Sequence, residues 1–260
     1  MYFGFENITI AYDKKTVLKN FSLEIPKGKS VALVGANGCG KTSLLKLISR
    51  AVSPKEGKVI FDDKDLFSYK RKEIAKRIAY LSQDHLSTPD IDVKTLVSYG
   101  RYPYTHLGRG LSKEDRAVID RSLKITGLSE LSDRPLNSLS GGERQRAWIA
   151  MAICQEPEVL ILDEPTTYLD IGYQIEVLEV IKTLNKKYGI TILTVLHDLN
   201  LASRYSDLIY MIKDGSLFAG GSPGDTITRE NLLKVFSIEA EILEDKNNSC
   251  PYFIPSKSIK

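Results

Sequence analysis

The sequence predicts an α/β fold in which buried strands alternating with helices form a core, antiparallel strands precede it and a helical subdomain interrupts it. Three observations predict this. The first thirty residues alternate apolar and polar positions, two later segments are continuous apolar runs, and the stretch from 85 to 158 carries apolar side chains at helical spacing.

The elements follow in order. Phe3, Phe5, Ile8, Ile10 and Tyr12, and then Val17, Phe21, Leu23 and Ile25, have the period of half-buried antiparallel strands. SVALVGANGCGKTSLLKLISR passes from a short apolar strand at 31–34 through glycines into a helix bearing Leu44, Leu45, Leu47 and Ile48. Further strands are expected at 57–61, ending at an Asp62-Asp63 turn, and at 78–81. Leu123, Ile125, Leu128 and Leu131, then Trp148, Ile149, Ala152 and Ile153, mark the helical insertion. VLILDE resumes the core as a run suited to a strand buried on both faces, a helix is expected at 174–188, and ITILTVLHD supplies another such strand. Residues 208–213 and 216–219 read as a hairpin about Asp214-Gly215, followed by a helix at 228–236 and a polar tail over 244–260. The expectation is a single domain over 1–260, with core at about 1–84 and 159–243 and helical subdomain at about 85–158.

Composition excludes several classes. A chain of 260 residues with 42% hydrophobic and 27% charged side chains has the balance of a globular protein rather than a disordered one. It contains no apolar run of about 18 residues, so no transmembrane helix is expected. Its start has no signal-peptide pattern. Lys and Arg number 36 against 33 Asp and Glu, too near balance to argue for nucleic acid as a partner. Cys39, Cys154 and Cys250 are odd in number and lack metal-ligand spacing, which suits free thiols in a cytosolic compartment. For Cys39, inside a glycine-rich loop, a space-filling role is expected.

GANGCGKT at 35–42 has the form G-x-x-x-x-G-K-[ST]. In it Gly35, Ala36, Asn37, Gly38, Cys39 and Gly40 turn backbone N–H groups toward a triphosphate, Lys41 reaches the outer phosphates and the Thr42 hydroxyl meets Mg²⁺. Ser43 offers a second hydroxyl, and the helix N-terminus adds partial positive charge. Gly35, Gln83, Asp163 with Glu164, and His197 each fall within two residues of a strand's end. Ligands of open parallel sheets bind beyond those ends, so these segments are expected to meet at one ATP site. Asp163 is placed to hold Mg²⁺, which prefers few carboxylates, and Glu164 to orient and deprotonate the attacking water. Ser140-Gly141-Gly142-Glu143 reads as a capping box whose glycines let an anion approach the helix end.

GANGCGKT, together with LSGGERQ at 139–145, resembles the ATP-binding subunit of an ATP-binding-cassette transporter over nearly the whole chain. The resemblance implies the ABC ATPase fold: a P-loop NTPase (RecA-like) core, an N-terminal antiparallel β subdomain and an inserted α-helical subdomain. It implies ATP and Mg²⁺ as ligands, adenine stacked on Tyr12, Gln83 sensing metal and water, and His197 on the γ-phosphate. It also implies that the Ser140–Glu143 turn clamps the nucleotide of an opposite subunit, with Asp170 crossing the same interface. One phosphate loop and one LSGGERQ per chain then call for two chains, expected as a homodimer. The implied companions are integral-membrane permease subunits and, indirectly, a substrate-binding protein, with this subunit peripheral on the inner face of the membrane. EPTTYLDI at 164–171, VSYGRYPY at 97–104 and LHDLNLASRYSD resemble importers of iron-siderophore, haem and cobalamin type. Ala36, in place of a common proline, and the order Thr42-Ser43 depart mildly from the pattern. The stretch 84–109, with Ile91, Tyr99, Tyr102, Tyr104 and Leu107, is the expected permease contact.

Overall fold

Alternating apolar positions pair first. The computed structural model describes residues 1–13, 15–83, 90–105 and 110–259. It opens on β1 (Phe3–Tyr12) and β2 (Lys15–Ile25), antiparallel, with Phe3 opposite Ile25 and Ile10 opposite Leu18. The strand β3 (Ser30–Gly35) is buried throughout and leads through the glycine loop into α1 (Lys41–Ile48). On the other edge of β1 lie β4 (Glu56–Phe61) and the short β5 (Lys64–Asp65), giving the sheet order β2-β1-β4-β5. Both turn residues between them, Asp62 and Asp63, have positive φ (53° and 59°), the handedness that a two-residue hairpin turn needs. Phe3, Phe5, Phe21 and Phe61 are almost wholly buried, and their rings meet edge to face at 6.2 Å in the pairs Phe3–Phe61 and Phe5–Phe21.

The chain forms two compact units, 1–69 with 193–260 and 70–192. The second begins with α2 (Arg71–Arg77) and β6 (Ile78–Leu81). Its helices are α3 (Val93–Ser98), a 3₁₀ segment Tyr99–Tyr104, α4 (Lys113–Ile125) and α5 (Gly141–Cys154). They close on a core that includes Val93, Val97, Ile119, Leu123, Leu136 and Ala150. After them β7 (Val159–Asp163) runs parallel to β6, with Ile78 opposite Val159 and Leu81 opposite Leu162, and α6 (Ile171–Tyr188) follows. Within this unit α5 packs on both β6 and α6.

Strand β8 (Thr191–Val195), buried throughout, carries the chain back to the first unit. There α7 (Leu199–Tyr205) precedes β9 (Leu208–Lys213), which pairs parallel with β3, and β10 (Ser216–Gly221) pairs antiparallel with β9. A short α8 (Pro223–Thr226) and α9 (Arg229–Phe236) lead to β11 (Ile238–Asp245) and β12 (Cys250–Ser258). The polar tail expected over 244–260 is therefore corrected to a hairpin. Its outer edge is satisfied by distant side chains: Asn200 accepts from Phe253 N (2.9 Å) and donates to Phe253 O (3.1 Å), and Ser203 Oγ donates to Pro251 O (2.5 Å). These partners lie about fifty positions upstream, so local polarity does not reveal them. Among the described residues no helix is long and apolar enough to cross a membrane.

Candidate active site

In the first unit the sequence GANGCG turns between β3 and α1 because its glycines occupy backbone that other residues avoid. Gly35 has φ 152°, and a Cβ there would lie 2.3 Å from Ile212 O; Gly38 and Gly40 have φ of 79° and 110°. Helix α1 follows its N-cap Gly40 with no side-chain cap and no acidic residue in its first turn, an end that suits an anion. Ala36, Asn37, Gly38 and Thr42 are exposed, and Ser43 is half-buried. The Lys41 ammonium is held inside the loop, donating to Gly35 O (2.8 Å) and Ala36 O (3.1 Å) and lying 3.7 Å from Cys39 Sγ. Cys39 is buried, as its space-filling reading expects.

Tyr12, at the end of β1, is 40% exposed, with its hydroxyl 3.4 Å from Ser43 Oγ. A cavity of about 650 Å³ lies beside it, lined among others by Val17, Asn37, Gly38 and Gly215. An aromatic face and an apolar branch at one side of a phosphate loop suit a flat heteroaromatic base. His197 follows β8 and is exposed. The turn after it is closed by Asp198, whose Oδ1 accepts from Asn200 N (2.8 Å) and Leu201 N (2.9 Å).

In the second unit β7 ends on Asp163, 4% exposed, whose Oδ2 accepts from the Tyr80 hydroxyl at 3.4 Å. Glu164 then takes φ 53°, uncommon for a residue other than glycine, and its carboxylate turns to meet two donors. Gln83 Nε2 reaches Glu164 Oε2 at 2.7 Å and Thr167 Oγ1 reaches the same oxygen at 3.1 Å. The structure thus brings together two residues that the sequence marks separately. Tyr80 carries no mark in the sequence; the only signal for Thr167 is its place three residues after the acid.

Ser140 and Glu143 form both bonds of the capping box, Ser140 N to Glu143 Oε2 at 2.8 Å and Glu143 N to Ser140 Oγ at 3.3 Å. The Ser140 backbone N–H holds the Glu143 carboxyl below its ordinary range. Gly141 is exposed, while Gly142 is buried so close to Tyr173 that a Cβ would lie 2.4 Å from its ring. Asp170 begins α6 but makes no side-chain capping bond, and its neighbours Tyr168 and Ile171 are 96% and 75% exposed. Of the expected permease contact, residues 84–89 and 106–109, Leu107 included, lie outside the described residues. Tyr99 and Tyr102 project outward, whereas Ile91 packs on the helical core and Tyr104 turns inward.

Among the described residues no group of three or more His, Cys, Asp or Glu side chains could hold a metal ion. Within the second unit Asp163 offers one buried carboxylate and Gln83 an amide, and within the first the Thr42 hydroxyl is exposed; each by itself is an oxygen donor of the kind Mg²⁺ takes, a metal that prefers few carboxylates and retains waters.

Residues 18–167 match the ABC transporter family. The chain is 40% identical to the ferric enterobactin transport ATP-binding protein FepC of Escherichia coli (strain K12), over 96% of this chain and 92% of that one. It is 41% identical to the iron(3+)-hydroxamate import ATP-binding protein FhuC of Bacillus subtilis (strain 168), over 98% and 95%. A metal-chelate type ABC transporter solved in an inward-facing conformation superposes with a TM-score of 0.85 at 26% identity, over 98% of this chain and 97% of that one. A dimeric post-hydrolysis state of the ATP-binding cassette MJ0796 bound to ADP and Pi superposes with a TM-score of 0.71 at 28% identity, over 85% and 98%.

Proposed function

The chain belongs to the ATP-binding subunits of the ABC transporter family, ATPases coupled to transport, and from that premise we propose that it energises import of a ferric siderophore. Relatives named for iron chelates support this cargo over haem or cobalamin. The observation that carries the chemistry is the carboxylate of Glu164, aimed by Gln83 and Thr167 and adjoining the buried Asp163.

In this reading the loop N–H groups from Gly35 to Gly40 and the Lys41 ammonium take the phosphates, and Tyr12 takes the adenine. Thr42, with Ser43 beside it, in the first unit, and Asp163 and Gln83 in the second, are the residues that would hold Mg²⁺. When bound, the metal would neutralise charge on the phosphate oxygens. Glu164 accepts a proton from the attacking water, and His197 donates to the γ-phosphate. Little covalent help is needed for phosphoryl transfer, so positioning of these groups is the main contribution of the protein.

The exposed Gly141, just inside the capped helix end at Ser140, fits a clamp on the nucleotide of a second copy, with Asp170 taken to cross the same interface. ATP then favours the closed pair and its hydrolysis releases it, which moves permease subunits that meet the Tyr99 and Tyr102 face. A substrate-binding protein delivers the chelate to that permease, and this subunit works peripherally on the inner face of the membrane.

Deleting the protein and supplying single ferric siderophores, haem or cobalamin under iron limitation tests the cargo. Loss of growth on one or more ferric siderophores, with haem and cobalamin uptake intact, is expected. Undiminished uptake of every ferric siderophore tried would refute the assignment.

A further inference from the structure

In the second unit two outward tyrosines are built on a buried arginine. The 3₁₀ segment Tyr99–Tyr104 leaves Tyr99 and Tyr102 53% and 80% exposed and buries Gly100 and Arg101. Gly100 approaches α5 so closely that a Cβ would lie 2.2 Å from Met151 O and 2.8 Å from Cys154 Cβ. Arg101 Nε donates to Asp115 Oδ1 on α4 at 2.8 Å; its Nη1 donates to Glu156 Oε2 at 2.8 Å and to Cys154 O at 2.9 Å. The guanidinium carbon lies 3.8 Å from the centre of the Tyr104 ring, and the Tyr104 hydroxyl donates to Gln155 O at 3.0 Å.

Cys154 is the last residue of α5 and Gln155 its C-cap. A cation and a phenol from one short segment therefore close the negative end of that helix. The opposite end, about 20 Å away at 1.5 Å per residue, is the Ser140–Glu143 turn. A buried charge cluster is a weak source of stability, since apolar packing of equal volume holds a helix end as well. What the planar fork adds is direction: its acceptors on α4 and α5 are held at set angles, where apolar contact would let the segments slide.

We propose that Arg101 is a positioning residue that makes the outward tyrosine face and α5 one lever, so that a load on Tyr99 and Tyr102 is delivered to the Ser140–Glu143 turn. This rests on the reading of that turn as a clamp on a second subunit's nucleotide. Push or pull at the tyrosines moves the C-terminal end of α5 through Gly100 and Arg101, and the stiff helix carries the displacement to Ser140.

The test uses the full chain carrying Glu164→Gln, with dimerisation followed by sedimentation at saturating Mg-ATP. Arg101→Lys keeps the charge but cannot hold all three acceptors. Its dimer midpoint is expected to rise about tenfold, the scale of one lost charge-assisted hydrogen bond. Tyr104→Phe deletes a single neutral bond and is expected to raise it about threefold. Mg-ATP affinity of the monomer should stay within about twofold in both, as for a distant independent site. Unchanged midpoints overturn the proposal, as does an equal loss of monomer affinity, which would mark general damage; if Arg101→Lys does not fold, Tyr104→Phe decides alone. Failure of the Glu164→Gln parent to dimerise is a different result, because it removes the clamp reading itself and the lever with it.

Discussion

Gln83 and Glu164, 81 positions apart, share one hydrogen bond of 2.7 Å in which the amide of the first donates to the carboxylate of the second. Parallel pairing of β6 with β7 brings them together, since Gln83 lies two residues beyond Leu81 and Glu164 two beyond its partner Leu162. An amide cannot take a proton, so Gln83 orients while Glu164 is left to act as base. Glu164→Gln should retain Mg-ATP binding and lose about 10²- to 10⁴-fold in turnover, the range for a general base. Phosphate release and nucleotide titration on the same sample check it; wild-type turnover in the variant would remove Glu164 from its role. Gln83→Ala should lower kcat with little change in KM.

Gly35→Ala probes the loop without altering charge. A Cβ there would sit 2.3 Å from Ile212 O at φ 152°, so the variant should lose about 1–3 kcal/mol of stability and its nucleotide affinity together. Urea unfolding with and without Mg-ATP separates the two losses. A fully stable, fully binding Gly35→Ala protein would contradict the geometry.

Ser140→Ala removes one half of the capping box. The expected cost is about 1 kcal/mol, with Glu143 left bonded to the Ser140 N–H position. If the turn also grips a nucleotide, turnover should fall further than Glu143→Gln lowers it, because only Ser140 loses a hydroxyl at the exposed end. Equal turnover in Ser140→Ala and wild type would leave the turn as a cap alone.

Asp115 sets an acid limit. Burial would raise its pKa, but bonds from Arg101 and Ser112 more than offset this and hold the carboxyl below its ordinary value. A depressed folded pKa means that its stabilisation is complete above the unfolded value, about 4, and is lost as pH falls through the lower folded value. Asp115→Asn should therefore be less stable than wild type at neutral pH, the variant lacking a charge for Arg101 to bond. The gap should be constant from about pH 6 to 8 and shrink below about pH 4. Thermal unfolding across pH reads it, and a gap that widened in acid would mean that the folded carboxyl titrates above its unfolded value.

Much of the local structure at the candidate residues was legible because it obeys local rules. Gly35, Asp163 and His197 stand at or just beyond the ends of apolar strands, Ser140 and Glu143 are spaced as a capping box, and both features are decided within a few residues. The β11–β12 hairpin was not legible. Its strand edge is satisfied by Asn200 and Ser203 of α7, and alternation in Tyr252 and Ile254 is masked by two prolines and neighbouring polar residues. Tyr104 likewise could be counted among the surface aromatics but not assigned a direction.

Sequence by itself determined which chemical groups this protein carries and where along the backbone each is presented, since strand ends, glycine turns and caps are short-range consequences of residue type. Only the tertiary structure decided that Gln83 meets Glu164, and that Arg101 leaves the surface to hold the end of α5 at Cys154, 53 positions away. Such pairings depend on how whole elements pack. A side chain's own identity states what it can bond, and the burial around it states with which partner.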